Sequence, residues 1–299
     1  MLLTGILLSL SAGLFWNMSG IVNSTCARKK YDLYSYLLTN VIFSALFTGF
    51  FAGSPAGVLH KEMLLFIVVV AVGGAVNTSG ALLLQKALQN GHHGIIFLIA
   101  QSAPAVPFIV GMIFLGDTPT CQKIGGVLLI FSGMVLAALP KFRDRKNADE
   151  VPVKKWLLPT LLSFACFGIA HTFLALPSLM NLPAGAGQYR TFLMYCGSAL
   201  LVVTVTGFRC RTGKLEFNRM LLIIGVIAAV LNVCSMAIFF KAVDFLAQAK
   251  AVGLGSPLAT SASLVGFTLY SWFYLREKRE LSAFFGLICI CAGAVIASL

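Results

Sequence analysis

In a chain dominated by apolar runs, a few side chains could do chemistry at depth. Asn77 and Asn232 each stand nine residues before a lysine, Lys86 and Lys241, near the middle of an apolar run. A polar group is costly in hydrocarbon unless it has a partner or a task. Each asparagine therefore either bonds a neighbouring helix or forms one wall of a polar pocket. Asn17, beside Trp16, would add a polar contact next to an aromatic face. His171 is the only histidine well inside an apolar run, and is read as a ligand contact and proton carrier or as a neutral packing histidine. Gln101 and Ser102 precede Pro104 and Pro107 in AQSAPAVP. Prolines free backbone carbonyls, and broken helices of this kind line cavities in membranes. Tyr189 and Arg190 open another run. An arginine there reaches for lipid headgroups or, inside a cavity, recognises a carboxylate or phosphate.

Asn17, Asn77, Gln101, His171, Tyr189, Arg190 and Asn232 are thus the substrate-binding candidates, with His171 the candidate for proton coupling. The carboxylates bound the substrate. All ten, among them Asp117, Asp244 and Glu277, fall at the ends of apolar runs or between them. A desolvated cation needs an opposite charge, which favours a neutral, zwitterionic or anionic small molecule. No catalytic residue is assigned: an intramembrane enzyme would need a nucleophile–base pair or a carboxylate–metal cluster at depth. Neither metal nor cofactor is expected. The sequence has no H-E-x-x-H or C-x-x-C, and no G-x-x-x-x-G-K-[ST] for a nucleotide. A channel would show a charged ring or repeated filter sequence, and none appears.

The elements that must position these residues follow from composition. With 59% hydrophobic residues, 11% charged and a mean hydropathy of +0.91, the chain suits a bilayer as its partner rather than water. The net charge of +12 lies in short clusters between apolar runs, which favours a membrane surface over nucleic acid. Ten spanning helices are expected at roughly 2–24, 33–53, 63–88, 93–115, 121–139, 156–178, 187–207, 219–242, 247–274 and 281–298. The charged segment PKFRDRKNADEVPVKK, 140–155, separates a first unit, 1–139, from a second, 156–299.

The two units repeat one another. Leu115, Gly126, Gly133, Val135, Ala137 and Leu139 recur, without a gap, 160 positions later. The Asn–Lys pairs of the third and eighth runs match, SAGLF at 11–15 resembles SFACF at 163–167, and SAL at 44–46 recurs at 198–200. Five helices per unit is an odd number, so the copies must be inverted across the membrane. The expected fold is all-α and integral to the membrane, ten helices as two inverted five-helix repeats. Seventeen of the 22 lysines and arginines fall on one face of that arrangement, the linker included. The positive-inside rule makes that face cytoplasmic in an inner or plasma membrane and puts both termini outside. Gly126 and Gly133, like Gly286 and Gly293, form a small-residue face for close helix packing, within one chain or in a homodimer.

These features resemble the drug/metabolite transporter superfamily in its EamA-type ten-helix branch. The motif L-G-[DE]-x(8)-G-x(6)-G stands here as Leu115–Gly116–Asp117, Gly126 and Gly133, and more loosely as Leu275–Arg276–Glu277, Gly286 and Gly293. Phe15–Trp16 resembles the family as well. The resemblance implies a pocket between the repeats and alternating access to the two sides, so a secondary transporter of a polar metabolite is expected. Familiar ten-helix members keep both termini in the cytoplasm, and the charge pattern here departs from that. The basic loop after the first helix resembles the rhamnose–proton symporter branch, an uptake system.

Overall fold

A computed structural model describes residues 1–29, 31–52, 63–90, 96, 99–100, 102–143, 153–183, 185–210, 215–274 and 281–298. Their α-helices are α1 (Leu2–Arg28), α2 (Leu33–Ala52), α3 (Leu64–Asn90), α4 (Ala105–Phe114), α5 (Cys121–Arg143), α6 (Val153–Ala175), α7 (Arg190–Cys210), α8 (Arg219–Gln248), α9 (Gly255–Phe273) and α10 (Leu281–Ser298). A helix satisfies its own backbone polar groups, which is what a lipid-exposed segment requires. The ends use side chains. Asn218 Oδ1 accepts from the Leu221 N–H at 2.7 Å, and Asp32 Oδ2 accepts from the Ser35 N–H at 2.9 Å.

Among the described residues, seven stretches are long and apolar enough to cross a membrane: Leu2–Asn23, Leu33–Ala52, Leu64–Ala87, Lys155–Leu179, Ala186–Cys210, Arg219–Gln248 and Val252–Tyr270. Three shorter apolar helices, Ala105–Phe114, Cys121–Leu136 and Phe284–Ala297, accompany them. Phe50, Phe51 and Phe114 are more than three-quarters exposed, as side chains facing lipid are. The chain is an integral membrane protein.

Several expected boundaries move: α1 and α5 run past their expected ends at 24 and 139 to Arg28 and Arg143, and α9 starts at Gly255 rather than 247. The stretch 93–115 is not one straight helix in its described part: a turn at Ser102–Pro104 precedes α4, where Pro104 and Pro107 interrupt the backbone ladder. α8 runs six residues beyond the expected end at 242, because Val243 and Leu246 are fully buried in its last turns. It stops where Lys250 turns left-handed at φ 50°. The single-turn 3₁₀ helix Val252–Leu254 then leads into α9.

The helices interleave. α1 packs against α8 and α9, α3 against α6 and α7, α2 against α7 and α8, and α5 against α10. Glycines set the closest approaches. A methyl on Gly133 would lie 2.6 Å from the Gly286 carbonyl oxygen, and one on Gly293 would lie 2.6 Å from that of Gly126. The two contacts exchange under the 160-residue shift. At the α3–α7 crossing a methyl on Gly74 would lie 2.0 Å from the Met194 oxygen, and one on Gly197 1.9 Å from the Ala71 oxygen. Ser198 Oγ donates to the Gly74 oxygen at 2.9 Å across the same contact. Gly197→Ala is therefore expected to cost about 1–3 kcal/mol through forced helix separation. Gly207→Ala, in the same helix with nothing within 4 Å, should be neutral or better. Melting temperatures of the two variants in detergent check the contrast.

Candidate functional site

The interior residues come together from three helices. Trp16 of α1 stacks on His171 of α6 with ring centroids 5.7 Å apart, and tilts against Phe239 of α8 at 5.2 Å. His171 meets Phe239 at 6.2 Å and Phe167, one turn earlier, at 6.4 Å. Local sequence explains the arrangement. Small residues let α1 press on its neighbours: Ala12 is fully buried, and a methyl on Gly13 would lie 2.0 Å from the Ala259 oxygen of α9. The bulk of Trp16 then projects inward one turn later. Asn17 lies over α9, where a methyl on Gly266 would come within 2.6 Å of its Nδ2.

Three polar atoms in this region are buried without a hydrogen-bond partner: Trp16 Nε1, Asn17 Oδ1 and His171 Nδ1. Each such atom costs about 1–3 kcal/mol. Natural structures keep few of them, and those few call for an explanation. A bound molecule would supply the missing partners.

Asn77 and Asn232 have different surroundings. Asn232 Oδ1 accepts from Ser19 Oγ at 2.6 Å, and its Nδ2 donates to Asn40 Oδ1 at 3.3 Å. Ser44 Oγ also donates to Asn40, at 3.4 Å. Nearer one end of the bundle, Tyr36 Oη donates to Asn23 Oδ1 at 2.5 Å. These side chains form a neutral hydrogen-bonded seam between α1, α2 and α8. Asn77, half-buried in α3, has no side-chain hydrogen bond among the described residues. Methyl positions on Gly73 and Gly80 meet Leu174 and Phe167, so antiparallel packing brings Asn77 level with Ala170 and His171.

Arg190 does not extend to headgroups. It is 2% exposed, with Nη1 donating to Asp244 Oδ1 at 2.9 Å and to Ser178 Oγ at 2.8 Å. Nη2 donates to the Leu174 carbonyl oxygen, and the guanidinium stands 4.3 Å over the Phe240 ring. Nε has no partner. Tyr189 is buried at the end of the single-turn 3₁₀ helix Ala186–Tyr189, in the same core as Phe239 and Phe240. Gln101 lies outside the described residues, as do His92, His93 and the Leu275–Arg276–Glu277 part of the second motif.

Asp117 is a buried structural carboxylate whose partners the sequence does not reveal. It is 7% exposed, and it accepts from the Val252 N–H at 2.9 Å and the Gly253 N–H at 2.6 Å. Thr118 N–H donates to the Lys250 oxygen in the same clasp, at 3.2 Å. The only sequence signal was the motif itself, which does not say what the carboxylate grips. Among the described residues, no group of three or more His, Cys, Asp or Glu side chains could hold a metal ion.

No curated protein matches the sequence. A solved structure, titled only as the crystal structure of a protein, superposes with a TM-score of 0.72 at 15% identity, over 99% of this chain and 98% of its own. That likeness speaks for the fold alone. Residues 3–139 match the model of the EamA-like transporter family. Over its first unit, then, this membrane protein is similar to EamA-like transporters.

Proposed function

We propose that the protein is a secondary transporter that moves a small polar metabolite by alternating access between two inverted five-helix repeats. The repeats are 1–139 and 156–299, joined by the cytoplasmic segment 140–155, with both termini outside. One observation carries this reading: Trp16 Nε1 and His171 Nδ1 are buried and unpartnered in one aromatic cluster, and so is Asn17 Oδ1 at the next position of α1, over α9. Helices of both halves meet there, α1 from the first and α6 and α8 from the second. The packing supports the repeat, because each contact has a counterpart five helices on. α3 packs on α6 and α7 as α8 packs on α1 and α2, while α5–α10 and α2–α7 map onto themselves.

In this reading Trp16, Asn17, Asn77 and His171 touch the substrate, and His171 carries the coupled proton. Arg190, committed to Asp244 and Ser178, and Tyr189, packed in the same core as Phe239, brace the start of α7. The amide of Asn232 is committed to Ser19 and Asn40. The small-residue face is used within the chain, because Gly126, Gly133, Gly286 and Gly293 meet one another there.

The test is uptake of a mixed metabolite library into proteoliposomes, read by mass spectrometry with and without an imposed proton gradient. One compound class should accumulate with the wild type, and Asn77→Ala should lower its initial rate at least tenfold, about 1.4 kcal/mol or more. His171→Ala should abolish the response to the gradient. Uptake equal to that of empty liposomes would refute the transporter reading.

A further inference from the structure

The two halves place matching polar pairs at the centre of the molecule, and the pairs differ. The register SAGLF/SFACF sets Ser19 over His171, and the Asn–Lys register sets Asn232 over Asn77. Ser19 and Asn232 are bonded at 2.6 Å, so their counterparts His171 and Asn77 occupy the equivalent contact between α6 and α3. The first pair is closed. Asn232 has a second amide partner in Asn40, whereas the SAL register puts Met194, an apolar core residue, where Asn40 stands. The second pair is open: His171 Nδ1 has no partner, and the Asn77 amide has none among the described residues. The shape is unequal as well. Trp16 falls in register with Gly168, where a methyl would sit 2.6 Å from Val106 Cγ2. One repeat therefore supplies a bulky ring where the other packs bare backbone against Val106.

The charge around this centre is already balanced. Among the described residues, the charged side chains that are buried are Asp117 and Arg190. Asp117 is held by two backbone N–H groups and Arg190 by Asp244. An ammonium entering beside Trp16 would lose its hydration without gaining a counter-charge, and a carboxylate would gain one only while His171 holds its proton. The open groups also want both signs of hydrogen bond. Trp16 Nε1 only donates, Asn17 Oδ1 only accepts, and the Asn77 amide does both. A group that can only accept, or only donate, leaves part of the set unpaired. A hydroxyl or carboxamide satisfies all of it, and the Trp16 and Phe239 rings favour an apolar face alongside.

Building on the transporter reading, we propose that the substrate is uncharged, carries hydroxyl or carboxamide groups beside an apolar face, and docks on the His171–Asn77 side of the centre. The matching Ser19–Asn232 pair is an internal brace that does not touch it.

The experiment uses the full chain in nanodiscs and a defined equimolar mixture of hexoses, pentoses, nucleosides, primary amides, monocarboxylates and amines. Retained compounds are read by mass spectrometry against empty nanodiscs. Uncharged compounds should be retained, and His171→Ala and Asn77→Ala should each weaken retention at least tenfold, Asn77→Ala without lowering the ligand-free melting temperature. Ser19→Ala should do the opposite, lowering the melting temperature and changing retention less than twofold. Preferential retention of carboxylates or amines, no retention above empty nanodiscs, or a Ser19→Ala loss equal to that of His171→Ala would each overturn the proposal. Retention without uptake into proteoliposomes would sink the transporter reading and leave this site standing.

Discussion

Asp244→Ala is expected to destabilise the protein by about 3 kcal/mol, the low end for breaking a buried ion pair, because Asp244 is itself half-exposed. The damage lies in what remains. Arg190 would stay 2% exposed with no counter-charge, tied only to Ser178 and the Leu174 carbonyl oxygen. Arg190→Met added to Asp244→Ala should therefore restore most of the loss, since it removes the stranded charge and leaves an apolar side chain over Phe240. A melting series in detergent over the two single variants and the double variant tests this. A double variant less stable than Asp244→Ala alone would show that the guanidinium holds the α6 and α7 ends together by its hydrogen bonds rather than by charge balance.

Asp117→Ala is expected to cost about 3 kcal/mol, because two buried N–H groups lose their acceptor together at about 1–3 kcal/mol each. The surroundings leave no substitute. A methyl on Gly111 would come 2.5 Å from Asp117 Oδ2 and one on Gly253 3.0 Å, so bare backbone encloses the carboxylate. Asp117→Asn keeps one acceptor oxygen and should lose roughly half as much. Because the clasp joins the loop after α4 to the turn before α9, its loss should be felt on both sides. Hydrogen exchange should rise at Val252–Leu254 and at the start of α5. Equal melting temperatures for Asp117→Ala and the wild type would refute the clasp.

What the sequence made legible is local, and what it hid is distant. The apolar runs announce helices because backbone in lipid has few other solutions. The spacing of Gly126 and Gly133 announces a close contact on one helix face, but not that α10 lies against it. Helix ends were less legible. The extension of α8 to Gln248 depends on the burial of Leu246 against α1, where a methyl on Gly5 would come 2.8 Å from the Leu246 side chain. No local pattern encodes that.

The candidate site divides in the same way. His171 and Asn77 stand out as polar residues within apolar runs, and Trp16 as an aromatic beside an amide. The partners of Arg190 and Asp117 lie far along the chain, and those of Asp117 are backbone N–H groups that carry no sequence signature. Asn232 and Asn77 look equivalent in the sequence. Their difference comes from Asn40 and Met194, each on a helix of the opposite half.

The central claim is that one interior site is reached alternately from both faces. In a background with the eight native cysteines replaced, His171→Cys would be exposed in sealed vesicles to a membrane-impermeant thiol reagent, from outside or preloaded inside. Modification from either side, without any ion leak, is the predicted result. Modification from one side only, or modification together with a continuous ion conductance, would contradict alternating access at this site.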